Sequence, residues 1–167
     1  TTCSMKEGIV ENLDSLADKL KFLPQVDLAF PCGENRQCSE GRLSCFLPLP
    51  NNEFNKTGLP VYVNACFGLT DNRRQIKWQE EDQRHDEHAM WNELLMKEVL
   101  PHAYLMIIQD AVKLAQQSIL PVCSVYDLWP DIAQIQHKDK WYAFGLDVLS
   151  HLFSQDVALL SLAKDER

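Results

Sequence analysis

Two adjacent arginines, Arg73 and Arg74, follow a run of turn residues, Thr70-Asp71-Asn72. A guanidinium is a planar fork of donors, always charged, and it fits a phosphate better than an ammonium does. The pair admits two readings. One is a solvated turn in which an arginine pairs with Asp71 or with the acidic run Glu80–Asp82. The other is a site aimed at phosphate. Residue types alone favour the solvated turn.

His85 and His88 stand three apart, with Asp86 and Glu87 between them. Two imidazoles at that spacing share a helical face, but a metal centre needs further ligands. No CxxC or HExxH run occurs, and Cys32 and Cys38 are too far apart for a zinc knuckle. The stretch reads as an acidic helix start, where carboxylates complement the helix dipole. No metal is expected. His102, His137 and His151 have no serine or cysteine motif beside them. GxSxG, P-loop and GxGxxG motifs are absent, and the 6 glycines are scattered. Without a nucleophile set or a phosphate cradle, no enzyme and no cofactor is expected. Trp78, Trp91, Trp129 and Trp141 fall at the ends of expected elements. They read as core anchors rather than as a ligand groove.

The 6 cysteines are read as reduced thiols. Cys45 and Cys66 lie inside apolar runs, where a free cysteine packs as a small hydrophobe. Disulfides require an oxidising route, which nothing in the chain supports. The sequon Asn55-Lys56-Thr57 is then a coincidence in a polar loop. The start of the chain is polar, lacks an apolar leader and lacks an initiator methionine. A fragment of a longer protein is expected.

These residues are positioned by elements that the pattern predicts. Ser4 and Glu7 form a capping box, and Ile9, Leu13, Leu16, Ala17 and Leu20 share one face. That predicts a helix over Met5–Phe22, stopped by Pro24. Val26–Phe30 is a short strand and Pro31–Gly41 a loop. Arg42–Leu47 and Val61–Leu69 are strands, joined by a connection in which Gly58 can take positive φ. Val61, Val63, Ala65, Phe67 and Leu69 alternate with other residues and should face the core. Arg73–Trp78 would complete a three-stranded antiparallel meander. An apolar stripe from Asp86 to Ser118 predicts a long helix, kinked or broken at Pro101. Leu128–Pro130 is a turn or one helical loop, Trp141–Phe153 a helix and Val157–Leu162 a strand.

The 167 residues suit one domain, residues 1–167, with a sizeable core. Hydrophobic content of 46% and charged content of 24% are ordinary for a globular chain. A formal charge of −8 argues against nucleic acid and against an anionic membrane surface as partner. No apolar run approaches the ~20 residues of a membrane span. The expected fold class is α+β: a small antiparallel meander covered by helices, one of them long and proline-kinked.

Four words of sequence carry a resemblance: CFLPLP (Cys45–Pro50), TGLPVYVNACFGL (Thr57–Leu69), NRRQIKW (Asn72–Trp78) and WNELLMKEVLPHAY (Trp91–Tyr104). In this order they resemble the repeats of the sacsin family of giant cytosolic co-chaperones. The resemblance covers the middle of the chain. It implies a segment downstream of an ATPase domain similar to that of the ninety-kilodalton heat-shock chaperone. That domain's glycine-rich lid and acidic catalytic helix are absent from this sequence. The segment would then be a non-catalytic, middle-domain-like module, with Arg73 or Arg74 reaching the γ-phosphate held by the ATPase domain. The resemblance also implies a cytoplasmic setting and protein quality control. The implied partners are adjacent domains of the same chain, the seventy-kilodalton chaperone system and cytoskeletal clients. The alternative is a spacer or scaffold module without nucleotide coupling.

Overall fold

The computed structural model describes residues 2–4, 11–31, 40–79, 85–135 and 139–154. Its strands are β1 (Thr2–Ser4), β2 (Gln25–Ala29), β3 (Leu43–Cys45), β4 (Leu47–Pro48) and β5 (Tyr62–Ala65). Its helices are α1 (Glu11–Leu20), α2 (Glu87–Leu94), α3 (Leu100–Gln116), α4 (Cys123–Tyr126), α5 (Ile132–Ile135) and α6 (Asp139–Ser154). The class is α+β.

Helix α1 buries Leu13 and rests Leu16, Ala17 and Leu20 against the core, as the spacing predicts. Its last turn closes where Lys21 takes φ 58° and the Phe22 N–H donates to the Ala17 carbonyl at 3.1 Å. Its start differs from the expectation. Ser4, read as a helix cap, ends strand β1, where it pairs with Gln25. Residues 5–10, which include Glu7 and Ile9, lie outside the described residues, as do residues 32–39 and the expected strand Val157–Leu162.

The sheet order is β1-β2-β5-β3-β4. Strands β1, β2 and β5 pair antiparallel, as do β3 and β4. Strands β3 and β5 run parallel, with Leu43 beside Val63 and Ser44 beside Asn64. The sheet is therefore mixed rather than a meander, because of what lies between the two runs. The first run breaks at Phe46, whose φ of 59° folds β4 back onto β3. The chain then passes through a 3-10 turn at Glu53–Asn55 before entering β5. A return of that length is what parallel neighbours require. It packs so closely on Gly41 that an added Cβ would stand 2.3 Å from the carbonyls of Leu59 and Val61. The third expected strand is absent: Leu69 and Ile76 form one isolated bridge, and the residues between them turn. The alternation in the second run does face the core, with Val61, Val63, Ala65 and Phe67 buried and Leu69 half-buried.

The long helix runs through Pro101. Residues Leu95–Val99 form a π turn between α2 and α3, in which the Leu100 N–H reaches back to the Leu95 carbonyl. The wider turn makes room for the proline ring, which falls in the first turn of α3 where its missing donor matters least. Helix α3 buries Ala103, Tyr104, Ile107, Ile108 and Ala111. The Tyr104 hydroxyl donates to the Leu128 carbonyl at 2.9 Å, and Phe144 of α6 meets its ring edge-on at 5.9 Å.

Candidate functional site

The arginine pair sits on a turn held from several sides. Backbone bonds close it internally: the Thr70 N–H donates to Gln75 at 2.9 Å and the Arg73 N–H to Thr70 at 2.7 Å. The Asn72 Oδ1 accepts from the Thr70 hydroxyl at 2.8 Å and from the Arg74 N–H at 3.0 Å. Arg73 holds φ 54°, a left-handed conformation that costs a branched-off Cβ something on the order of 1–3 kcal/mol. The surrounding bonds must supply that energy.

Two buried asparagines tie the turn to the rest of the fold. Asn55 donates from Nδ2 to the carbonyls of Pro50 and Arg74, each at 2.8 Å. Asn92, on α2, accepts the Gly68 N–H and donates to the carbonyls of Gly68 and Lys77, each at 2.8 Å. Beside it, the Trp91 indole donates to the Cys66 carbonyl at 2.7 Å. At the far end, Lys77 pairs with Asp86 at 2.7 Å. Asp86 also caps α2 by accepting the amides of His88 and Ala89. The Lys77 ammonium and these two amides hold the Asp86 carboxyl below its usual range, and Asp86 raises Lys77 in turn.

Both guanidinium side chains are exposed. Among the described residues, no carboxylate lies within ion-pair distance of Arg73 or Arg74. Glu80–Asp82, expected as a structural partner, lies outside the described residues. What sequence reasoning missed is the pair that positions the turn. In the sequence Asn55 reads as part of a sequon, and Asn92 enters only within the word Trp91–Tyr104. The available signal for Asn92 was a polar residue next to Trp91 within an otherwise apolar stripe.

The other chemical candidates are placed as follows. His88 packs edge-on against Phe22 at 5.7 Å, and the nearby Asp86 oxygens are engaged by backbone amides and Lys77. Among the described residues no group of three or more histidine, cysteine or acidic side chains is set to hold a metal. Cys45, Cys66 and Cys123 are free thiols, and burial pushes Cys66 up. Trp91 and Trp141 are buried, while Trp78 and Trp129 are half-buried. Trp78 borders a cleft of about 310 Å³ with Met96 and Phe144, and the Lys140 ammonium lies 4.8 Å from its ring. No helix among the described residues is long and apolar enough to cross a membrane.

Human sacsin is 42% identical to this chain over 173 residues, which take in 95% of the chain. The chain is a sacsin-like segment. It spans 4% of the length of sacsin. The likeness to sacsin extends past the four words that first carried it, into flanks with weaker signals. No family model and no solved structure matches the chain.

Proposed function

We propose that this chain is a non-catalytic, middle-domain-like module of a giant co-chaperone. It relays between an adjacent ATPase domain and clients or neighbouring repeats. The observation that carries this reading is the arginine turn: exposed guanidiniums, without an acidic partner among the described residues, on a backbone fixed by buried Asn55 and Asn92. A donor held in place before it is needed stabilises developing charge without reorganising. In phosphoryl transfer that charge spreads over the phosphate oxygens, and an arginine supplied by a neighbour makes hydrolysis report domain closure. The chain itself neither binds nor turns over ATP in this account. A cytoplasmic role in protein quality control belongs to this proposal as what the resemblance of the sequence words implies. The seventy-kilodalton chaperone system and cytoskeletal clients are proposed as partners on the same ground. The test is ATP hydrolysis by the longer protein carrying the ATPase domain, compared with its Arg73→Ala and Arg74→Ala variants.

One observation favours a spacer or scaffold module instead. Exposed arginines on a turn are what an ordinary solvated surface also presents. That reading gains if hydrolysis ignores both substitutions.

A further inference from the structure

An apolar patch forms where α4 approaches the end of α6. The Trp129 ring lies 6.1 Å from that of Tyr126 and meets Phe153 edge-on at 5.8 Å. Val122 caps the start of α4, one helical turn before Tyr126, and shares its face. Phe153, Val122 and Tyr126 are 70%, 52% and 38% exposed. Their outer sides face water, although removing such surface from water is the main force that holds a fold together.

The patch also contains a polar group with no partner. The Trp129 indole N–H is buried, and no acceptor reaches it among the described residues. Buried donors of this kind are rare, because an unmade hydrogen bond leaves the desolvation of the group uncompensated. A water in that place would need several polar partners, whereas this indole is flanked by two rings. The occupant that suits both features has apolar side chains and a carbonyl to offer, which describes an apolar stretch of polypeptide. The chain carries one. Helix α6 ends at Ser154, directly after Phe153. Residues 155–167 lie outside the described residues, and they include Val157, Leu159, Leu160 and Leu162. The step from Phe153 to Val157 spans at most ~13 Å of extended chain, so this run begins within reach of the patch. A tether so short sets an effective concentration in the ~mM range.

We propose that residues 157–162 seat on the patch formed by Val122, Tyr126, Trp129 and Phe153, and that one of their backbone carbonyls accepts the Trp129 indole N–H. The leucines cover the exposed rings, and the carbonyl satisfies the buried donor. This contact is independent of the arginine turn and of any nucleotide.

Proton NMR of the indole N–H groups tests it, with Trp129→Phe assigning the Trp129 resonance. In the unsubstituted chain that proton should exchange slowly with solvent and show contacts to the methyls of Leu159, Leu160 or Leu162. Leu159 and Leu160 are consecutive, so in an extended segment one of them faces the patch. At least one of Leu159→Asp and Leu160→Asp should therefore speed exchange of the Trp129 proton ~10-fold or more. Val122→Asp, on the receiving side, should do the same. Absence of the methyl contacts in the unsubstituted chain overturns the proposal, and that measurement needs no variant to fold. Exchange unchanged in all three variants overturns it as well. So does protection that grows with protein concentration, which would make a second copy the occupant.

Discussion

Asn92 and Gly68 form a closed pair: the Asn92 Oδ1 accepts the Gly68 N–H while its Nδ2 donates to the Gly68 carbonyl, each at 2.8 Å. A single side chain on α2 thereby stands in for a neighbouring strand at the start of the arginine turn. Replacing it with leucine removes the Asn92 bonds to the Gly68 amide and the Lys77 carbonyl, while the Gly68 carbonyl keeps the Lys77 N–H at 2.9 Å. Each unsatisfied buried group costs ~1–3 kcal/mol. Asn92→Leu should lose about 3–5 kcal/mol of stability, read by urea denaturation. A loss below about 1 kcal/mol would show that water reaches these groups.

The same junction excludes a side chain at Gly68. A Cβ there would stand 2.5 Å from the His88 Cβ and 2.8 Å from the His88 carbonyl, both on α2. Gly68→Ala must push the turn away from the helix, so its melting temperature should fall. Its destabilisation should also be non-additive with that of Asn92→Leu, because both break one contact. Additive losses in a double-mutant cycle would contradict this.

Trp91 is wholly buried beside this pair and meets Phe22 edge-on at 5.8 Å. Trp91→Ala should cost about 3–5 kcal/mol, a large part of a margin of roughly 5–15 kcal/mol. An unchanged melting temperature would mean that the indole is free to bind something else.

Asp86 sets a pH dependence whose sign follows from its depressed pKa. Its contribution is fully present above the ordinary carboxylate value of 3.8 and is lost as pH falls through the lower folded value. Lys77, raised by the same pair, contributes below its ordinary 10.5 and loses that only at still higher pH. Asp86→Asn keeps a capping oxygen but removes the charge, so its stability should fall less steeply than wild type below about pH 4. Asp86→Ala removes the cap as well and should lose ~0.5–2 kcal/mol even at neutral pH. Parallel acid limbs for wild type and Asp86→Asn would show that the ion pair contributes nothing.

What the sequence disclosed divides along physical lines. Local periodicity gave the stripes of α1 and α3 and the core face of Val61–Phe67, because burial leaves a repeat in the residues themselves. The sheet order was hidden, since the parallel pairing of β3 with β5 depends on where the connection returns. The break at Phe46 was hidden too, because a left-handed phenylalanine has no signal of the kind glycine or asparagine provides. Pro101 announced a disturbance, but not that a π turn would absorb it. The arginines were visible by type, whereas the asparagines that hold their turn act across distances of 19 and 15 residues, from Asn55 to Arg74 and from Asn92 to Lys77.

The central claim is that the Arg73–Arg74 turn completes a neighbouring nucleotide site. Its most direct test is the single-turnover rate of ATP hydrolysis by the longer protein, measured for wild type, Arg73→Ala and Arg74→Ala. Folding is checked by melting temperature and ATP occupancy by titration. The account predicts that at least one substitution slows hydrolysis by ~10-fold or more while ATP still binds, as for other arginines supplied to a phosphoryl-transfer site. Wild-type rates for both folded variants would contradict it and leave the turn a structural feature of a spacer.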